Sequence, residues 1–87
     1  MQVKIFWQKN CPNCPRAKKL GKELEKEKIK VIYYDINDVD GLAEACFYNI
    51  LTTPSIIITD DNDQEIKNWK GEVPFLKDIL KELNQKE

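Results

Sequence analysis

Short apolar runs alternate along this chain with longer segments in which apolar residues recur at helical spacing. Residues 3–7 (VKIFW) predict a strand, with Val3 and Ile5 on one face and Phe6 on the other. A strand that is apolar on both faces is typical of a position inside a sheet, where neighbouring elements cover both sides. We therefore expect this first strand to be central.

A helix, a strand and a second helix are predicted next. An amphipathic helix is expected from Cys11 to about Lys28, because small and apolar residues recur on one face while charged residues fill the other. Residues 30–36 (KVIYYDI) predict a second strand, and Asp38 or Asp40 can cap the helix that follows. The side of this second helix expected to face the core carries Leu42, Ala43, Cys46, Phe47 and Ile50.

The last part of the chain predicts a hairpin and a final helix. Residues 55–59 (SIIIT) are β-branched and apolar without interruption, which indicates a buried strand. The turn at 60–63 (DDND) leads into a second hairpin strand at 64–69 (QEIKNW). Pro74 suits the start of a helix that follows Gly71. The core face of that helix is expected to carry Phe75, Leu76, Ile79, Leu80 and Leu83.

The predicted order βαβαββα belongs to the α/β class. Right-handed crossovers then place helices on both faces of a four-stranded mixed sheet. A chain of 87 residues, 41% of them hydrophobic, can form one small core, so we expect one domain over residues 1–87. No internal repeat, linker or low-complexity segment interrupts it.

Composition and charge exclude several classes of function. The net charge of -1, with both signs spread along the chain, argues against nucleic acid as the main partner. Lys4 interrupts the first apolar run, so neither a secretory leader nor a membrane segment is indicated, and a cytoplasmic location is expected. An odd number of cysteines, three, makes full internal pairing impossible and argues against a secreted mini-protein.

The candidate chemistry lies in the pair Cys11 and Cys14, which Pro12 and Asn13 separate. The pair follows the first strand, at the carboxyl edge of a parallel sheet, where α/β proteins usually bind ligands. A helix N-terminus stabilises a thiolate, so Cys11 is the expected nucleophile, and the three-residue spacing puts Cys14 beneath it as a more buried resolving thiol. A structural pair or half of a zinc site are the alternatives, and the absence of histidine and of a second CxxC disfavours zinc.

Three further features of the sequence are the cations near the cysteine pair, Pro15 and the third cysteine, Cys46. Several cations surround the predicted helix start, and they are either a solvated surface or a means of favouring the thiolate and an acidic partner: Lys9, Arg16, Lys18 and Lys19. Pro15 at the fourth position of the expected helix would remove its first internal donor. Cys46 is expected to be a small buried hydrophobe.

Together these features resemble the thioredoxin-fold redox family, in the short form of glutaredoxins and glutaredoxin-like thioredoxins. The resemblance covers nearly the whole chain and rests on Phe6-Trp7, on the CPNC motif, on Thr53-Pro54 and on Gly71. It implies a cis proline against the cysteine pair, beside which an extended substrate peptide could bind the Thr53 backbone. The substrate-binding positions that it implies are Thr53, Pro54, Asn10, Pro12, Asn13 and Gly71.

The resemblance also implies an activity and its partners. We expect a monomeric protein disulfide reductase without a metal or other cofactor, acting on disulfide-containing proteins and recharged by a thioredoxin-reductase-like flavoprotein. A glutathione-dependent glutaredoxin is one alternative, and a non-catalytic adaptor that binds peptides is another.

This chain departs from the family at three places. Ile5 stands where thioredoxins carry a buried carboxylate, and Asn10 stands where they have an aromatic residue. Residues 71–73 (GEV) replace the Gly-Gly-acidic sequence that binds glutathione in glutaredoxins, which favours the reductase over the glutaredoxin.

Overall fold

The computed structural model describes residues 1–84 and confirms the predicted order of elements. The elements are β1 (Gln2–Trp7), α1 (Cys14–Lys26), β2 (Lys30–Asp35), α2 (Val39–Phe47), β3 (Ser55–Thr59), β4 (Glu65–Lys70) and α3 (Leu76–Asn84). None of these helices is both long enough and apolar enough to cross a bilayer within the described part of the chain.

The four strands form one mixed sheet in the order β2-β1-β3-β4. β1 is parallel to β2 and antiparallel to β3, and β3 and β4 form the expected antiparallel hairpin. The central position predicted for β1 is confirmed. Its carboxyl end, and the loop that follows, therefore lie at the edge where the parallel pair ends, which is the edge predicted for the cysteine pair.

Helices cover both faces of the sheet and enclose two apolar cores. On one face α1 and α3 pack over Val3 and Ile5 together with the side chains of β3. On the other face α2 packs over Phe6 and Ile57, with Ala45 and Tyr48 supplying the contacts from the helix side. The alternation of apolar residues in β1 thus supplies both cores.

The sequence prediction of which face of α2 packs in the core is wrong. Leu42 and Phe47 are 53% and 71% exposed, and Ala43 and Cys46 are exposed too, whereas Ile50 after the helix is buried as predicted. The buried face instead carries Gly41, Ala45 and Tyr48. A Cβ atom on Gly41 would overlap the main-chain carbonyl of Asp35, so the helix approaches β2 through its glycine and not through its larger side chains.

Two helix starts also differ from the sequence prediction. α1 begins at Cys14 and not at Cys11, and α3 begins two residues after Pro74. Phe75, expected in the core, precedes α3 and is 66% exposed. The rest of the predicted face is confirmed, since Ile79 is buried and the leucines of α3 pack around it.

Candidate active site

Cys11 and Cys14 form a disulfide at the carboxyl end of β1, with their Cα atoms 5.3 Å apart. Cys14, the first residue of α1, is only 3% exposed, whereas Cys11 lies ahead of the helix and is half-buried. The expectation that Cys14 is the more buried of the two is confirmed. The disulfide also favours redox chemistry over a zinc half-site, because zinc requires free thiolates.

The first turn of α1 suits a negative charge nearby. It contains no acidic residue, and Asn13 at the N-cap position makes no side-chain hydrogen bond to it within the described residues. Pro15 lies in this turn, where a backbone N–H has no acceptor inside the helix. The loss of an internal donor that the sequence predicted at Pro15 therefore does not occur. The carbonyl of Cys11 accepts a hydrogen bond from the N–H of Cys14 at 3.3 Å.

A pocket of about 430 Å³ adjoins the disulfide. It is lined by Trp7, Gln8, Lys9, Asn10, Cys11, Cys14, Pro15 and Lys18. The ammonium nitrogen of Lys18 lies 3.5 Å from the centre of the Trp7 ring, a cation–π contact that holds a positive charge in the wall of the pocket. Among residues 1–84, two cations and no carboxylate line its walls, which makes the surroundings of both sulfurs electropositive.

Asn10 adopts a left-handed backbone conformation, with φ of 62°, directly before Cys11. Asparagine tolerates this conformation better than the aromatic residue that thioredoxins carry here. The turn between the end of β1 and the cysteine pair therefore explains why Asn10 stands at this position.

The loop before β3 is fixed by hydrogen bonds on both sides. The Thr53-Pro54 peptide bond is cis, as the resemblance implied, and Pro54 is buried. The Gln8 amide donates to the hydroxyl of Thr53 at 2.8 Å, joining this loop to the loop that carries the cysteines. On the opposite side the N–H of Gly71 donates to the Pro54 carbonyl at 2.9 Å.

Gly71 supports the cis-proline loop by its backbone. Its φ is +77°, a conformation that favours glycine, and a Cβ atom there would come within 3.1 Å of the Thr52 methyl group. Ser55 adds a further bond within the loop, donating from its hydroxyl to the Thr52 carbonyl at 2.7 Å.

The structure brings some of the implied site residues together and leaves others apart. Asn10 and both cysteines line one pocket, and Thr53 is joined to that pocket through Gln8. Pro12 and Asn13 are exposed and are not among its lining residues. Sequence reasoning missed Gln8, and the one available signal was a polar residue directly after a buried strand at the functional edge.

Sequence reasoning also missed a buried cation on the α2 side of β1. The side chain of Lys4 is 3% exposed, and its ammonium group lies 3.2 Å from Glu44 and 3.1 Å from Asp63. It also donates to the hydroxyl of Tyr48 at 3.0 Å. Burial by itself lowers the pKa of Lys4, but these hydrogen bonds and the charge of Glu44 outweigh it and hold the pKa above its usual range. The ammonium group therefore stays charged inside the fold.

Comparison with known proteins agrees with this geometry. The family model of the thioredoxin domain matches residues 1–84. The chain belongs to the thioredoxin family. A probable thioredoxin of Archaeoglobus fulgidus is 33% identical over 61 residues, which are 69% of this chain and 67% of that protein. A thioredoxin of Methanocaldococcus jannaschii is 29% identical over 62 residues, which are 70% of this chain and 73% of that protein.

The fold is shared with solved thioredoxins as well. The structure of thioredoxin 1 from Thermosipho africanus superposes with a TM-score of 0.68 at 17% identity, over 99% of this chain and 93% of that one. Membership of the thioredoxin family and the Cys11–Cys14 disulfide make this a thioredoxin-like redox protein, whose general chemistry is thiol–disulfide exchange.

Proposed function

We propose that the protein is a small dithiol oxidoreductase that reduces disulfides of other proteins by cycling a Cys11–Cys14 disulfide. The observation that carries this proposal is the disulfide between a half-buried sulfur ahead of α1 and a buried sulfur in its first turn. The difference in exposure supports attack on the substrate by Cys11 and resolution by Cys14.

The reaction begins with the Cys11 thiolate, which attacks one sulfur of the substrate disulfide. A bond forms between Cys11 and that sulfur as the substrate bond breaks, and the second substrate sulfur leaves as a thiolate that takes a proton. Cys14 then loses its proton and attacks Cys11, displacing the first substrate sulfur as a thiolate, which is protonated in turn. Two electrons pass from the protein dithiol to the substrate. Because the chain has no histidine, the proton of Cys14 leaves to water, to a distant carboxylate or to the departing thiolate.

Substrate binding is proposed along the cis-proline loop beside the pair. An extended peptide would bond to the Thr53 backbone and pass over Pro54, as an added strand does. The hydrogen bonds from Gln8 and Gly71 support this role, because they hold the loop in one position before the substrate arrives. The exposed residues Pro12 and Asn13 and the neighbouring Asn10 would form the other side of the binding surface.

A thioredoxin-reductase-like flavoprotein is the proposed electron donor. The alternative donor is glutathione, which the electropositive pocket beside the disulfide favours because glutathione carries two carboxylates. Against glutathione stands Gly71, whose N–H already donates to the Pro54 carbonyl and is not free to bind a tripeptide. We also propose that the protein is a monomer, that residues 1–87 form one domain, and that it works in a reducing cytoplasm.

Coupled insulin reduction separates the two donors. Purified protein is assayed with NADPH and a thioredoxin reductase, and in parallel with glutathione, glutathione reductase and NADPH. We expect turnover in the first assay and at least tenfold less in the second. The reverse result would make the protein a glutaredoxin and contradict the choice of donor.

Trapping of a mixed disulfide tests the roles of the two cysteines. Cys14→Ser should accumulate a covalent complex with an oxidised substrate protein, because Cys11 can still attack but nothing displaces the substrate. Cys11→Ser is the matched control, with both variants made in a Cys46→Ser background because Cys46 is exposed. It should trap nothing, since the remaining sulfur, that of Cys14, is buried. If neither variant traps a substrate and the wild type does not reduce insulin, the peptide-binding adaptor replaces the enzyme.

A further inference from the structure

The outward face of α2 is an apolar stripe in contact with solvent. We use the name α2 stripe for Val39, Leu42, Ala43, Cys46 and Phe47. These positions follow the i, i+3, i+4, i+7, i+8 spacing of one helix face, so they form a continuous surface. Val39 is 85% exposed, and the two largest members, Leu42 and Phe47, are more than half exposed. The residues that fold α2 against the sheet are on the other side and take no part in this surface.

The rim of the α2 stripe is acidic. Asp38 and Asp40 are exposed at the start of the helix, and Glu44 lies one turn further on. Residues 31–66 contain eight Asp or Glu and neither Lys nor Arg, whereas residues 1–30 contain nine Lys or Arg and three Glu. The chain as a whole has a net charge of -1, so this is a separation of charge and not an excess.

Among the described residues, Asp38 and Asp40 of the rim take part in no ion pair, whereas Glu44 is paired. Lys4 is buried beneath α2 and is paired with Glu44 and Asp63. Lys70 lines a pocket that Phe47 borders, and Asp63 lies in the same pocket. An apolar stripe with a negative rim therefore remains available to a partner.

We propose that the α2 stripe is a docking surface for a basic amphipathic helix of a partner protein. Apolar side chains of the partner would pack on Leu42 and Phe47, while its Lys or Arg side chains would face the acidic rim. A helix of nine residues is about 13 Å long. The contact is therefore small, which fits a transient complex. This proposal does not depend on the redox function.

A second copy of the chain is a poorer occupant of this surface. If two α2 stripes packed on each other about a twofold axis, neither helix would bring a Lys or Arg to the acidic rim of the other, because α2 contains none. A pairing without opposite charges at its edge is disfavoured relative to one that has them. Charge complementarity thus selects a partner of opposite sign.

Cys46 lies in the α2 stripe and reports directly on its occupancy. In the oxidised protein Cys11 and Cys14 are in the disulfide, so Cys46 is the one free thiol of the three cysteines. The rate at which N-ethylmaleimide labels Cys46 is measured by mass spectrometry. The probe is an 18-residue peptide of leucine and lysine with leucine at helical spacing, and its match replaces every lysine with glutamate.

We expect the lysine peptide to slow the labelling of Cys46 at least threefold and the glutamate peptide to leave it unchanged. The double variant Leu42→Ser/Phe47→Ser should abolish the protection, measured as the ratio of rates without and with peptide. Phe75→Ser is the matched control, since Phe75 is equally exposed but lies ahead of α3, and it should keep the protection. The rim variant Asp38→Asn/Asp40→Asn should weaken it, because asparagine keeps the N-cap preference and removes the charge.

Three results would overturn the proposal. Labelling that neither peptide slows would show that the α2 stripe does not bind a helix of this kind. Equal protection by both peptides would remove the charge argument. Slowing of the reaction at high protein concentration without peptide, together with a dimer mass in sedimentation, would make a second copy the occupant.

Discussion

At the level of single residues, Lys18 is one of the two cations that line the pocket beside the cysteine pair. Its ammonium group is held on the Trp7 ring and lines the same pocket as both sulfurs. A nearby cation favours a thiolate over a thiol. The sequence left two interpretations of the cations around the start of α1, a solvated surface and a functional role. Substitution of Lys18 distinguishes between them.

Lys18→Gln should slow the alkylation of Cys11 in the reduced protein by about two- to fivefold at pH 7, because loss of one of the two cations of the pocket weakens stabilisation of the thiolate by up to about 1 kcal/mol. The pH profile of iodoacetamide labelling should shift to higher pH. Lys22→Gln is the control, since Lys22 lies one turn further along α1 and does not line the disulfide pocket. Equal profiles for wild type and Lys18→Gln would make Lys18 a solvated surface residue.

Cys46→Ser should leave both stability and insulin reduction unchanged. Because the residue is exposed, the substitution neither opens a cavity nor buries a hydroxyl, and the unfolding free energy should change by less than about 0.5 kcal/mol. Urea unfolding and the insulin assay check this. Loss of turnover in a folded variant would instead make Cys46 a third participant in the redox cycle.

Sequence reasoning could identify the residues of the site that carry a local pattern. Cys11 and Cys14 have a fixed spacing after a strand, and Thr53-Pro54 is a recognisable dipeptide. Gln8 could not be identified, because its partner Thr53 is 45 residues away and is reached only once β1 and β3 pair. The burial of Lys4 escaped prediction for the same reason, since its carboxylate partners come from other elements.

At the level of elements, the β3–β4 hairpin holds the cis-proline loop in place through Gly71. Gly71→Ala should destabilise the protein by about 1–2 kcal/mol, because the residue has a positive φ and the new methyl group would crowd Thr52. Insulin reduction should fall as the loop shifts. Glu72→Ala, the exposed neighbour, is the control for urea unfolding and activity. A Gly71→Ala protein as stable and as active as wild type would remove Gly71 from the support of this loop.

The second helix, α2, shows that the spacing of apolar residues is not always sufficient to predict which face of a helix is buried. Its residues predicted a helix, and α2 forms, but apolar spacing alone selected the wrong face as the core. The decisive contact is the approach of Gly41 to the Asp35 carbonyl, which needs the absence of a side chain and not the presence of an apolar one. A pattern that scores only hydrophobicity cannot register that requirement.

At the level of the whole molecule, the buried charge cluster around Lys4 connects β1 to α2 and to the hairpin turn. Asp63→Asn should destabilise the protein by about 1–3 kcal/mol, because it leaves a buried ammonium group with one carboxylate fewer. Lys4→Met should cost less, since the remaining carboxylates are partly exposed and can be hydrated. Asparagine is a suitable replacement because it tolerates the positive φ of Asp63. Urea unfolding of both variants at pH 7 tests the order.

The same cluster predicts how stability depends on pH. Since the pKa of Lys4 is raised in the folded state, its contribution is fully present below the ordinary lysine value of about 10.4 and is lost as the pH rises through the folded value. Burial and the hydrogen bond to Glu25 raise the pKa of Tyr33 to about 12, which acts in the same direction over a similar range. Wild type should therefore lose more stability than Lys4→Met between about pH 10 and pH 12. Parallel losses would contradict the role given to Lys4.

The helices on the two faces of the sheet differ in charge, since α1 has five Lys or Arg against two Glu, whereas α2 and its N-cap have three Asp or Glu and no cation. This separation gives the protein an electric dipole that its net charge of -1 conceals. Such a molecule turns in the field of an approaching partner before the two surfaces touch, and it does so within about one Debye length. A negatively charged partner meets the α1 side, where the disulfide lies, and a positively charged one meets α2. Orientation during approach would thus bring partners of opposite charge to different faces of the molecule before any side chain makes contact.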